Sequence, residues 1–259
     1  SLLASTFEGL RREGRAGLVT YITAGDPTPD VSREVLRAIA AAGADVLEVG
    51  VPFSDPIADG PAIQRATERA LAAGSNLSVT LDMIAAVRAE IAAPIVLFTY
   101  VNPVFQLGVD AFVERAAEAG VDGVLLLDLP IEESAEMCAR LGTRGIDQIF
   151  LISPTTTDAR VRAAASLGRG FLYVISRLGV TGARAEVSGT AAPLVERIRR
   201  QTSLPIAVGF GLSRPEHLRE VGAYADAAVV GSALVTVIGE AGAEAPQKAG
   251  AFVRWLRGA

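Results

Sequence analysis

The sequence predicts an α/β protein, a single closed barrel of eight parallel strands alternating with eight helices and preceded by an extra N-terminal helix. Three observations carry this expectation. Eight short apolar runs each lead into a stretch with helical spacing, with no long linker or composition shift between them. The runs are continuously apolar, as burial on both faces of a parallel sheet requires. A length of 259 residues lies near that of such barrels and allows a large core, so residues 1–259 are expected to form one domain. An open, doubly wound sheet remains the structural alternative, because periodicity alone cannot prove closure.

Taken in order, Leu2, Leu3, Phe7 and Leu10 are spaced like one face of a short amphipathic helix. The first strand is expected over 17–23 (GLVTYIT), ended by Gly25-Asp26-Pro27, with a helical pattern over 31–42. Further strands are expected at 46–51, 95–100, 123–127, 148–152, 171–175, 206–209 and 227–230, and helices include 111–119, 132–141 and 191–201. Two connections, 52–60 and 176–189, are long enough to be functional.

Composition removes several classes of function. The longest apolar runs are strand-sized, far below the ~18 residues of a membrane span, and without a basic n-region, apolar h-region and cleavage site in the opening residues no secretory leader is expected. A cytoplasmic protein without membrane attachment is expected. A net charge of −5 and a pI near 5.1 argue against a nucleic-acid partner. The 23 arginines are scattered along helical segments and read as solvated faces. The single cysteine, Cys138, excludes an internal disulfide and a multi-cysteine metal site, and its helical apolar context reads as packing.

Elimination narrows the chemistry. Schiff-base catalysis needs a lysine in the barrel, and the only one, Lys248, follows the last strand. The only histidine, His217, lies in a charged helical segment and is expected at the surface. Acid-base work therefore falls to carboxylates or tyrosines. Glu48 sits inside an apolar strand, where burial would raise its pKa toward that of a proton shuttle. Asp55 and Asp59 follow on the adjoining loop. A buried ion pair of Glu48 with an arginine, an edge strand with Glu48 in water, and a Mg²⁺ site built from Glu48, Asp55 and Asp59 are the competing readings. Two strand-to-helix turns near the end, GFG at 209–211 and VVGSA at 229–233, offer backbone N–H groups to an anion. Gly211, Gly231 and Ser232 are the expected phosphate contacts.

Read together, ITAGDP (22–27), LEVGVPFSDPIADGPAIQ (47–64), YVNPV (100–104), YVISRLGVTGAR (173–184) and GFGLS (209–213) resemble the tryptophan synthase α subunit family over nearly the whole chain. The PFSDPxADGP string is highly specific to that family, whereas VVGSA alone is weak. The resemblance implies a (β/α)8 TIM barrel that cleaves indole-3-glycerol phosphate to indole and glyceraldehyde 3-phosphate by a retro-aldol reaction. It implies no metal and no organic cofactor in this subunit. The indole would pass to a pyridoxal-phosphate β subunit, within an α2β2 assembly. By motif, Glu48 would shuttle the proton at indole C3 and the glycerol hydroxyl, Asp59 would accept from the indole N–H, and Tyr173 would stand beside Glu48. Substrate contacts would come from Tyr21, Thr23, Phe98, Tyr100, Leu125, Leu127, Leu151, Thr181 and Phe210, with Ile63 nearby. Gly182 would join Gly211, Gly231 and Ser232 around the phosphate, and Asp55 and Pro56 would face the β subunit. The sequence departs from the family at Tyr21, often Phe there, and at Leu127, often a smaller residue.

Three rival functions share much of this pattern. They are a free-standing lyase with the same residues, a metal-assisted sugar-phosphate barrel, and a subunit acting chiefly as an allosteric sensor.

Overall fold

The computed structural model describes residues 1–175, 190–209 and 211–258. The order of elements is α1 (Leu2–Glu13), β1 (Gly17–Thr23), α2 (Pro29–Ala41), β2 (Val46–Gly50), α3 (Pro61–Ala72), α4 (Leu77–Arg88), β3 (Ile95–Thr99), α5 (Val101–Leu107), α6 (Val109–Ala119) and β4 (Gly123–Leu126). It continues with α7 (Ala135–Thr143), β5 (Asp147–Ile152), α8 (Asp158–Leu167), β6 (Leu172–Ile175), α9 (Ala191–Arg199), β7 (Ile206–Gly209), α10 (Pro215–Gly222), β8 (Ala227–Val230), α11 (Ser232–Ala241) and α12 (Ala245–Arg257). The eight strands pair in sequence order, all parallel, and β8 returns to β1. Closure excludes the open doubly wound sheet.

Each strand expected from the sequence is present, within one residue at either end. The helix expected over 132–141 is divided. A single 3₁₀ turn, Ile131–Glu133, precedes α7, and the Ser134 hydroxyl donates to the Pro130 carbonyl (2.7 Å) at the break. Cys138 is half-buried on α7 and packs against the core, as its apolar context suggests. No single helix among the described residues is long and apolar enough to cross a membrane.

Two rows of side chains leave each strand on opposite sides. One row packs against the surrounding helices, as with Leu18 and Ile22 of β1, Leu47 of β2 and Leu97 of β3. The other forms the barrel interior, with Val19, Val46, Val96, Leu125, Ile149, Phe171, Ala207 and Ala227 in one buried cluster. Leu3, Phe7 and Leu10 of α1 belong to that interior cluster, so α1 closes the N-terminal end of the barrel. The strand ends are adapted to this. A Cβ on Gly17 would come within 2.8 Å of Leu10 Cδ1, and one on Gly123 within 2.8 Å of Leu3 Cδ1. Glycine at these inward positions admits the side chains of α1.

Candidate active site

The C-terminal ends of the strands surround a cavity of about 390 Å³, within the usual range for a small-molecule site. Tyr21 of β1, Glu48 of β2, Phe98 of β3, Leu151 of β5, Tyr173 and Ile175 of β6 and Val229 of β8 line it, with Leu127 just beyond β4. The loop after β2 contributes Ile57, Ala58 and Asp59, and α3 contributes Ile63. Gly209, Gly211, Gly231 and Ser232 complete the lining.

Glu48 holds the most demanding position. It lies on the inward row of β2, beside Tyr21 of β1 and Val96 of β3 in register, and is 1% exposed. Among the described residues neither carboxylate oxygen has a hydrogen-bond partner. Barrel closure and burial exclude the edge strand, and no arginine among the described residues pairs with Glu48. Burial alone pushes the Glu48 carboxyl up to about 8, because a charged carboxylate loses its hydration without replacement.

Asp59 is placed by its loop. Its N–H donates to the Pro56 carbonyl (3.0 Å), and its own carbonyl accepts from the Gln64 side-chain amide (2.9 Å). Gly60 and Pro61 then start α3, proline supplying the fixed φ that suits a first helical turn. Tyr100 reaches across from the end of β3. Its hydroxyl accepts from the Ala58 N–H (3.0 Å) and donates to Asp59 Oδ2 (3.4 Å). Burial raises the Asp59 carboxyl to about 6, and the Tyr100 hydroxyl opposes that rise. The two carboxyls thus titrate on opposite sides of neutrality.

The tyrosines occupy room left by glycines. A Cβ on Gly50 would overlap the Tyr21 hydroxyl, and one on Gly209 would lie 2.6 Å from that of Tyr173. Burial raises both phenols, with a further push from the charge of Asp59 on Tyr21 and of Glu48 on Tyr173. Tyr21 and Phe98 meet edge to face with centroids 5.4 Å apart. The result is a flat-walled apolar slot with carboxylates at Glu48 and Asp59. Beside Tyr21, α11 begins at Gly231 and Ser232, its first N–H groups without a side-chain cap among the described residues and suited to an anion.

Several expected contacts lie elsewhere. Leu125 is fully buried one inward position below Leu127, in the packed interior, and does not line the cavity. Thr23 is buried beyond Tyr21 and is also absent from the lining. Tyr100 stands behind Asp59 instead of in the wall. Asp55 is exposed and accepts from the Ser54 hydroxyl (2.6 Å), with Pro56 half-buried beside it. Thr181, Gly182 and Phe210 lie outside the described residues. Among those described, no group of three or more His, Cys, Asp or Glu is placed to hold a metal ion, so Glu48, Asp55 and Asp59 do not form the Mg²⁺ site.

His217 is a correction. It is 5% exposed, and its Nδ1 accepts from the Ser213 N–H (3.2 Å). The charged neighbours Glu216 and Arg219 pair with each other on the outer side of α10, while His217 and Val221, one turn apart, face inward. The lining residues missed from the sequence are Ile57, Ala58, Ile175, Gly209 and Val229. Alternation within β6 and β8 would have found Ile175 and Val229, two positions beyond Tyr173 and Ala227 on the same rows.

A family model described as "Tryptophan synthase alpha chain" matches residues 7–255. A tryptophan synthase alpha chain from Solibacter usitatus is 48% identical over 232 residues, covering 90% of this chain and 87% of the relative. One from Geotalea uraniireducens is 47% identical over 258 residues, covering 99% and 97%. Among solved structures, Mycobacterium tuberculosis tryptophan synthase superposes with a TM-score of 0.91 at 37% identity, covering 99% of this chain and 96% of that one. A chain of the tryptophan synthase a2b2 complex of Pyrococcus furiosus superposes with a TM-score of 0.88 at 39% identity, covering 94% and 98%.

Proposed function

Because the chain belongs to the tryptophan synthase alpha chain family, we propose that it is the lyase that splits indole-3-glycerol phosphate into indole and glyceraldehyde 3-phosphate. The observation that carries the mechanism is Glu48, buried, without a hydrogen-bond partner among the described residues and shifted to about 8, so that it enters the reaction protonated at neutral pH. It gives its proton to indole C3, which turns the ring into an electron sink. Asp59, at about 6, is ionised and accepts from the indole N–H as positive charge develops there. The Glu48 carboxylate then takes the proton of the glycerol hydroxyl next to the ring. The C–C bond breaks, its electron pair returns to C3, and the aldehyde and indole are released. The environments of the two carboxyls divide the work between acid and acceptor.

Tyr21, Phe98, Leu127, Leu151 and Ile63 are the proposed walls for the indole, and Tyr173 confines the Glu48 side. Gly211, Gly231 and Ser232 are the proposed phosphate cradle, with the N-terminus of α11 behind it. The proposed partner is a tryptophan synthase β subunit in an α2β2 complex, to which the indole passes. Its docking surface would include Asp55 and Pro56, and the exposed Ile57 and Phe105 (87% and 60%) offer apolar anchors on the same end of the barrel. The proposed setting is the cytoplasm.

Indole release by the purified chain from indole-3-glycerol phosphate, with and without β subunit, tests reaction and partnership together. Indole production that rises on adding β subunit is expected. Activity indifferent to β subunit would leave a free-standing lyase, and activity removed by EDTA and restored by Mg²⁺ would overturn the carboxylate mechanism.

A further inference from the structure

The aspartate of the ITAGDP motif takes no part in the reaction above, yet it is 2% exposed. Both oxygens of Asp26 accept from Arg69, one from Nε at 2.7 Å and the other from Nη2 at 2.8 Å. The turn that carries Asp26 is itself held. The Gly25 N–H donates to the Ser32 hydroxyl (3.1 Å), and the Ser75 hydroxyl donates to the Ala24 carbonyl (2.9 Å). Arg69 is on α3, and its guanidinium also crosses α11 at Gly239, where a Cβ would overlap Nη2. One planar group therefore meets the turn after β1, α3 and α11. Those elements bring Tyr21, Ile63 and Ser232 to the cavity, and Asp59 immediately precedes α3. Between them Ile63 and Ala66 pack with Tyr21 and Val235.

With Asp26 buried and the Arg69 side chain 37% exposed, the ion pair is a weak source of stability, because desolvating the carboxylate and hydrating the guanidinium offset the attraction. What a two-point fork does supply is a fixed angle, which apolar contacts that can slide do not. We infer that Arg69 is a positioning residue, locking α3 to Asp26 and across Gly239 so that Asp59 and Ile63 stay in register with Tyr21 and the start of α11. This rests on the proposed role of Asp59 in cleavage.

The test compares kcat/KM for indole release and thermal midpoint in the full chain and in Gly239→Ala, Arg69→Lys, Arg69→Gln and the Arg69→Gln/Gly239→Ala double variant. Alanine is the better helix former at an interior position, so a merely structural role for this contact predicts an unchanged or higher midpoint and full activity. The positioning role predicts that Gly239→Ala lowers kcat/KM without lowering the midpoint. Arg69→Gln should lose on the order of 10²-fold at most, the scale of a misplacement of about 1 Å. Arg69→Lys, which keeps the charge and loses the fork, should fall between. Gly239→Ala should add no further loss once Arg69 is Gln. Wild-type kcat/KM in Gly239→Ala and Arg69→Lys, or losses that simply track the midpoint, would overturn the inference while leaving the reaction intact. No indole from the wild-type chain, alone or with β subunit, would overturn the reaction and the inference with it.

Discussion

At the N-terminal end of the barrel the interior is closed by Leu3, Phe7 and Leu10 of α1, whereas at the C-terminal end the same inward rows finish in Tyr21, Glu48, Phe98 and Tyr173 around a cavity. Both ends use glycine to make room. Gly17 and Gly123 admit leucines, while Gly50 and Gly209 admit the tyrosine hydroxyls. Burial at the closed end removes apolar surface from water and stabilises the fold. At the open end it places a carboxyl where neither oxygen is partnered among the described residues, which costs stability and shifts its titration. The contrast separates groups kept for folding from groups kept for chemistry, and it can be broken experimentally.

The largest effect is expected at Glu48. Glu48→Gln should reduce indole formation by about 10² to 10⁴-fold without lowering the thermal midpoint. The sign of its pH dependence follows from a folded value of about 8 against an ordinary 4.5. The folded state binds the proton more tightly, so the contribution of Glu48 to stability is fully present below the ordinary value and is lost as pH rises through the folded one. Midpoints measured across that window should decline more steeply in wild type than in the Gln variant, and parallel slopes would contradict the burial.

At the closed end, Phe7→Ala should cost about 3–5 kcal/mol of stability, read by denaturant unfolding, while activity per folded molecule is kept. Phe7 packs against Phe171 with centroids 5.4 Å apart, one inward position below the cavity-lining Tyr173. A loss of turnover in the folded fraction would show that the two ends are coupled. The glycines sharpen the comparison further. Gly123→Ala should cost about 1–3 kcal/mol through overpacking against Leu3, with turnover preserved. Gly50→Ala should displace Tyr21 and lower kcat/KM on the order of tenfold. Equal effects on turnover from both would erase the distinction.

The smallest effect is expected at Tyr100. Its hydroxyl holds the Asp59 carboxyl below where burial alone would put it. Tyr100→Phe should therefore move the acid limb of kcat/KM upward from about pH 6. The shift should be less than about one unit, since one net hydrogen bond is worth about 1 kcal/mol. An unmoved or lowered limb would mean that Asp59 does not set it.

Much of this contrast could be read from residue order. The run DVLEVG places a glutamate between apolar neighbours in a strand, and that is where the structure has it. The PFSDPxADGP loop carries Asp59 to the cavity as its position after the strand suggested. His217 was misread because charged neighbours dominate its segment, while one inward face is all that burial requires. Leu125 and Leu127 share a row, and spacing of two could not say which lies at cavity depth. Tyr100 is expected near the substrate, and the path of the loop after β2, which only the fold reveals, brings Ala58 and Asp59 over its hydroxyl.

The sequence by itself determined the eight strands, their inward and outward rows and the available chemistry, because these depend on local periodicity and on which side chains exist. One lysine, one histidine and one cysteine leave carboxylates or tyrosines as the acid-base groups wherever the chain folds. Tertiary structure alone decided depth and pairing. Depth along the axis is set by the tilt and stagger of a closed barrel, which places Leu125 in the packed interior and Leu127 at the cavity. Pairing of Asp26 with Arg69, 43 residues apart, exists only once the turn after β1 and α3 are brought together against α11.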